Sequence, residues 1–232
     1  MNRPADRLEG HAHFDTRPRW RLRGPADAGP EPRPLVIALH GMGHDGARLL
    51  DQLDGALDDR VLLVPDAPLP YETRDAEGRR GEGRAWYVYT GDQAAFLDSA
   101  ARAEDYLFGL VDAVAARAPI DASRLALLGY SQGGYLAGII ALRHPERFGA
   151  VVVVNARIKH EIATETPGPT PEFLVLHGER DRFIPVETAR ESARLLAERG
   201  LSCRFETNPG GHSLRPEQAA RAAAWLAERG FV

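Results

Sequence analysis

Leu125-Ala126-Leu127-Leu128-Gly129-Tyr130-Ser131-Gln132-Gly133-Gly134-Tyr135-Leu136 decides the reading of this chain. A short apolar run ends in a serine flanked by glycines, and residues 135–142 then take helical character. Gly-x-Ser-x-Gly between a buried strand and a helix predicts a sharp turn with the serine at its apex. Such a turn strains the serine backbone and brings neighbouring chain close, so a side chain at Gly129 or Gly133 would clash. The helix behind the turn aims its first amides at the serine, where negative charge would develop if the hydroxyl attacked a carbonyl. Ser131 is therefore the candidate nucleophile.

Outward from this turn, further apolar runs occupy residues 35–39, 61–64, 151–154 and 173–176. Each is continuous rather than alternating, as parallel strands covered on both faces require. Between them lie segments of helical spacing. Leu107, Leu110, Val111 and Val114 form one stripe, and Ala219, Ala222, Ala223 and Leu226 form another. Alternating strands and helices predict an α/β protein, a mostly parallel central sheet with helices on both faces. The length of 232 residues suits a single domain over 1–232. A first strand is expected around residues 20–23, with the Pro/Gly-rich stretch 24–34 as a hairpin loop after it. Residues 71–84 are charged, carry Gly78, Gly81 and Gly83, and outrun most connections. They read as a functional or mobile loop, a lid or flap.

A serine hydroxyl at neutral pH needs a base, and the base needs an orienting acid. Where a nucleophilic serine sits on such a strand–turn–helix elbow, its partners follow in the order Asp or Glu, then His. Of the eight histidines, His177 and His212 are the two in the last quarter of the chain. His177 falls inside a strand run and reads as a packed strand-end residue. His212, in Asn208-Pro209-Gly210-Gly211-His212-Ser213 before the last helical segment, is the expected base. Asp181 ends a charged turn after the 173–176 run and is the expected acid, with Glu179 as the alternative and a capping aspartate as the structural reading. Two backbone amides should face a developing oxyanion. One follows the nucleophile, at Gln132. The other is expected at Met42, in the glycine-rich loop Leu39-His40-Gly41-Met42-Gly43-His44-Asp45-Gly46 after an early strand.

Composition excludes other classes. A net charge of −4 and a pI near 6.1 argue against a nucleic-acid surface. No apolar run approaches the length of a membrane span, and the first residues lack the apolar core of a secretory signal. One cysteine, Cys203, cannot form an intrachain disulfide and reads as a buried small hydrophobe. A cytoplasmic place of action is expected. His11-Ala12-His13 could ligate a metal, but alternating histidines on an edge strand are more often structural, and no metal is expected. His40 and His44 read as loop scaffolding.

These residues together resemble the phospholipase/carboxylesterase family of the α/β-hydrolase fold, which includes the acyl-protein thioesterases. The resemblance covers most of the chain beyond Leu35. It rests on Leu39-His40-Gly41-Met42-Gly43, Pro65-Asp66-Ala67-Pro68, Arg84-Ala85-Trp86-Tyr87, the 129–134 turn, His177-Gly178-Glu179-Arg180-Asp181 and Gly211-His212. It implies a monomeric or dimeric esterase without metal or organic cofactor, acting on a small-molecule ester or thioester. It also suggests that Trp86, Tyr87 and Tyr89 line an acyl pocket. The chain departs from the family at Val88, where Asp is frequent, and at His44-Asp45, where Asp-Thr is common. The basic, glycine-rich insert near residues 77–83 is also unusual. These differences bear on substrate choice. With no basic amphipathic helix to hold a lipid surface, short to medium acyl esters are expected. The rival readings are a lysophospholipase, a dienelactone-hydrolase-like or peptidase-like enzyme, and a non-catalytic binding domain of the same fold.

Overall fold

The computed structural model describes residues 17–25, 29–163 and 168–232. His11-Ala12-His13 lies outside the described residues.

Seven strands make one sheet in the order β1-β3-β2-β6-β7-β8-β9. They are β1 (Trp20–Arg23), β2 (Arg33–Leu39), β3 (Val61–Pro65), β6 (Ile120–Tyr130), β7 (Phe148–Val154), β8 (Glu172–Gly178) and β9 (Cys203–Asn208). All neighbours run parallel except β1, which pairs antiparallel with β3 at the edge. That pairing corrects the expectation of a hairpin after β1. Its partner is β3 rather than the next strand β2, so β1 and β2 do not form a hairpin. The sequence signal was ambiguous because a Pro/Gly-rich stretch punctuates the chain without fixing which strands it joins.

The continuous apolar runs are explained by two cores, one on each face of the sheet. Side chains alternate across a strand, so Leu35, Ile37, Leu125, Leu127, Val151, Val153, Phe173 and Val175 enter one core. Val36, Ala38, Ala126, Leu128, Val152, Val154, Leu174 and Leu176 enter the other. Helices α2 (Gln93–Ala115), α3 (Gln132–Arg143) and α4 (Val186–Glu198) cover the first face. Helices α1 (Gly46–Leu53) and α5 (Pro216–Ala227) cover the second. Both stripes read from sequence, 107/110/111/114 on α2 and 219/222/223/226 on α5, are buried. Asp45 and Asp92 cap α1 and α2, accepting the Arg48 and Ala95 amides. Among the described residues no helix is long and apolar enough to cross a membrane.

The segment 71–84 is not an irregular loop. It belongs to an antiparallel ribbon of β4 (Leu69–Arg74) and β5 (Arg80–Ala85), with Tyr71 opposite Gly83 and Glu72 opposite Glu82. Most of the ribbon faces water on both sides. It therefore lacks the apolar alternation that marks a half-buried strand, and its strand character was hidden. Charge and turn chemistry hold its tip. Asp75 accepts the amides of Glu77 and Arg79 and pairs with the Arg79 guanidinium, while Glu72 pairs with Arg74. The base of the ribbon is docked on the loop after β2. Gly43 N–H donates to the Arg84 carbonyl at 2.8 Å and Arg84 N–H to the His44 carbonyl at 2.9 Å. A Cβ at Gly83 would lie 2.2 Å from the Gly43 carbonyl oxygen, which accounts for the glycine.

Candidate active site

Five loops leave the carboxyl ends of β2, β6, β7, β8 and β9, and the chemistry-bearing residues sit on them. The strand order reverses around this part of the sheet, where open α/β sheets bind ligands. Ser131 stands between the last residue of β6 and the first of α3, at φ 52° and ψ −117°. A non-glycine residue holds such angles only when its surroundings enforce them. They do so here. The Ser131 amide donates to the Val154 carbonyl and its own carbonyl accepts the Tyr135 amide. A Cβ at Gly129 would lie 2.2 Å from the Gly133 carbonyl oxygen, and one at Gly133 would lie 2.2 Å from that of Leu39. The turn thus has the close-packed form its glycines predict.

Ser131 Oγ is 2.8 Å from His212 Nε2, and His212 Nδ1 is 2.7 Å from Asp181 Oδ2. The carboxylate fixes the tautomer: Nδ1 carries the proton and donates to Asp181, which leaves Nε2 to accept the serine hydroxyl. Asp181 is fully buried as a side chain, and its other oxygen accepts the amides of Phe183 and Ile184 at 2.9 and 3.0 Å. Glu179, the alternative acid, instead accepts the Thr207 hydroxyl. His177 is buried. Its Nε2 donates to the Ile184 carbonyl at 2.9 Å and lies 3.4 Å from Asp181 Oδ2. Burial holds its imidazole below the ordinary histidine range, so it packs beside the acid as a neutral group.

Gln132 follows the serine directly, and the loop that carries Met42 approaches it through Gly41. A Cβ on Gly41 would lie 3.4 Å from Ser131 Cβ, so the loop passes directly by the hydroxyl. Among the described residues neither the Met42 nor the Gln132 backbone N–H donates to a protein acceptor. His40 supports this loop as expected. Its Nδ1–H donates to the Gly41 carbonyl and its Nε2 accepts the Ala67 amide. Desolvation lowers the pKa of His40, and that of His44 to about 4, so both stay neutral near pH 7.

Three contributors were not read from sequence. The Gln132 side chain accepts the Trp86 amide at 2.8 Å and donates to the Tyr87 carbonyl at 3.0 Å. The Tyr130 hydroxyl donates to the His212 carbonyl at 2.6 Å and holds that loop over the serine. Asn155, at φ 48°, accepts the Gly178 amide and donates to the Ser213 carbonyl, joining the loops after β7, β8 and β9. Only Asn155 left a trace, since Asn tolerates the left-handed region that a tight strand-end turn demands. The pocket expectation for Trp86 is corrected. It is fully buried, and its indole N–H donates to the His40 carbonyl, so it is a brace behind the loop rather than a pocket wall. Tyr87 and Tyr89 do face a cavity, with Phe96, Tyr135, Arg157 and Lys159.

Strand order, helical layers and the placement of these loops define an α/β-hydrolase. The phospholipase/carboxylesterase family model matches residues 26–228, and the chain belongs to that family. It is 27% identical over 192 residues to acyl-protein thioesterase 1 of Emericella nidulans, covering 72% of this chain and 77% of that one. It is 25% identical over 210 residues to lysophospholipase-like protein 1 of Mus musculus, covering 84% and 86%. Among solved structures, esterase PE8 superposes with a TM-score of 0.73 at 24% identity, covering 91% of this chain and 99% of that one. Acyl-protein thioesterase 2 of Zea mays superposes at 0.70 with 19% identity, covering 91% and 98%. At these identities the structural likeness concerns the fold.

Proposed function

We propose that this protein is a serine esterase that hydrolyses short- to medium-chain carboxylic esters or thioesters through an acyl-enzyme. One observation carries the reading: the hydrogen-bonded chain Ser131–His212–Asp181 at 2.8 and 2.7 Å, with the serine at the apex of a strained turn. In this reading His212 takes the Ser131 proton as the oxygen attacks the acyl carbonyl, then delivers it to the departing alcohol or thiol. Asp181 holds the imidazole in the required tautomer and stabilises the cation that forms. The Met42 and Gln132 amides hold the oxyanion, each contributing a factor of about 10²–10³. Water then repeats the sequence on the acyl-enzyme.

The names of the relatives, thioesterase and carboxylesterase among them, agree with this chemistry. A cavity of about 370 Å³ has the capacity of a small-molecule site, in keeping with a small ester or thioester as substrate. A cytoplasmic place of action suits a chain whose lone cysteine is a free thiol pushed up to about 12 by burial. A series of p-nitrophenyl esters from acetyl to palmitoyl tests the reading. The expected result is a kcat/KM optimum between acetyl and octanoyl. An optimum at palmitoyl overturns the length assignment, and no turnover of any ester overturns the activity.

A further inference from the structure

One cavity, walled in part by the first turn of the helix that follows Ser131, has an unusual lining for an apolar acyl group. Tyr135 lies four residues beyond Ser131 on α3, about 6 Å along the helix axis, and the Tyr87 carbonyl is held by the Gln132 side chain. Tyr87, Tyr89 and Phe96 supply aromatic walls, and the Phe96 ring meets the other two edge-on at 4.9 and 5.4 Å. Two cations complete the lining. Arg157 and Lys159 follow Asn155 on the loop after β7, the strand next to the one that leads into Ser131.

The two cations are held differently. Arg157 pairs with Glu161 at 2.9 Å. Lys159, the only lysine of the chain, is placed by aromatic faces: its ammonium is 4.8 Å from the Phe96 centroid and 5.9 Å from that of Tyr89. Its polar contact is the Gln93 amide oxygen at 3.3 Å, and among the described residues it forms no ion pair. Burial and the neighbouring Arg157 lower its pKa, effects that a bound anion would reverse. An alkyl chain in this cavity would strip water from the ammonium without replacing it, whereas an anion would supply the missing partner.

We infer that this cavity takes a carboxylate borne by the ester substrate. Lys159 and Arg157 bind the anion, and Tyr87, Tyr89 and Phe96 pack against the stem that joins it to the scissile group. The inference rests on the esterase reading and narrows its substrate class to anionic esters.

Two pairs of esters test it. Mono-p-nitrophenyl succinate against p-nitrophenyl pentanoate varies charge in the acid half. The anion p-acetoxybenzoate against its methyl ester varies charge in the alcohol half. The expected result is a preference of about tenfold in kcat/KM for the charged member of at least one pair. Lys159→Gln should abolish that preference and Lys159→Glu invert it, the effect falling mainly on KM. Equal rates within both pairs, or a Lys159→Gln loss that is the same for charged and neutral members, overturn the proposal.

Calorimetric titration of Ser131→Ala protein with monomethyl glutarate and with p-acetoxybenzoate reads the cavity without turnover. Binding of either anion that weakens about tenfold on adding Lys159→Gln supports the proposal. Binding that ignores Lys159, or no binding of either, overturns it. If the natural sequence turns over no ester, the esterase reading fails while the titration still decides the anion site.

Discussion

Ser131 occupies backbone angles that cost of order 1–3 kcal/mol, and the residues on either side explain why the turn holds. Glycines at 129 and 133 admit carbonyl oxygens where any Cβ would collide. Gln132 adds a second restraint through its buried side chain, which satisfies the Trp86 amide and the Tyr87 carbonyl at once. Gln132→Ala leaves both groups buried and unpaired, so we predict a loss of about 3 kcal/mol in urea unfolding, together with reduced activity. Tyr130→Phe removes only the hydroxyl that holds the His212 carbonyl. It should cost about 1 kcal/mol and lower kcat more than it raises KM, because the base loses its fixed position rather than its chemistry.

The nucleophile, acid and base candidates were legible because each ends a strand inside a recognisable turn. The roles of Gln132, Tyr130 and Asn155 were not, since their partners lie 45, 82 and 58 residues away and only the folded chain joins them.

Among the elements, the β4–β5 ribbon shows how a polar segment can have a structural task. Its dock on the 40–44 loop is made by two backbone hydrogen bonds and the bare face of Gly83. Gly83→Ala places a methyl against the Gly43 backbone and should lift the ribbon from the loop that carries Met42. The expected outcome is a fall in kcat of tenfold or more with a lower melting temperature. Gly109→Ala, within α2 and with nothing within 4 Å of its added methyl, is the matched control. It should stabilise by about 0.5–1 kcal/mol, since alanine costs a helix less backbone entropy. The sequence located the segment, and its glycines and charges, but not its pairing. A ribbon open to water carries no hydrophobic period from which register could be read.

On the scale of the whole molecule, the buried strand runs gave the parallel sheet directly, because burial on both faces leaves them no polar positions. The same burial makes the protein acid-sensitive. His40, His44 and His177 are all held below the ordinary histidine value by desolvation. The unfolded chain takes up protons that the folded chain refuses, so stability present above the unfolded value of 6.5 is lost as pH falls, toward about 4 for His44. The urea midpoint should therefore drop between about pH 7.5 and about pH 4.5, and drop less in His44→Asn. The central claim, that Ser131 is the activated nucleophile, is tested most directly by labelling with a fluorophosphonate and locating the adduct by peptide mass. A single adduct on Ser131, absent in Ser131→Ala and strongly slowed in His212→Ala, is the predicted result. An adduct that persists in Ser131→Ala, or none on the folded protein, would contradict it.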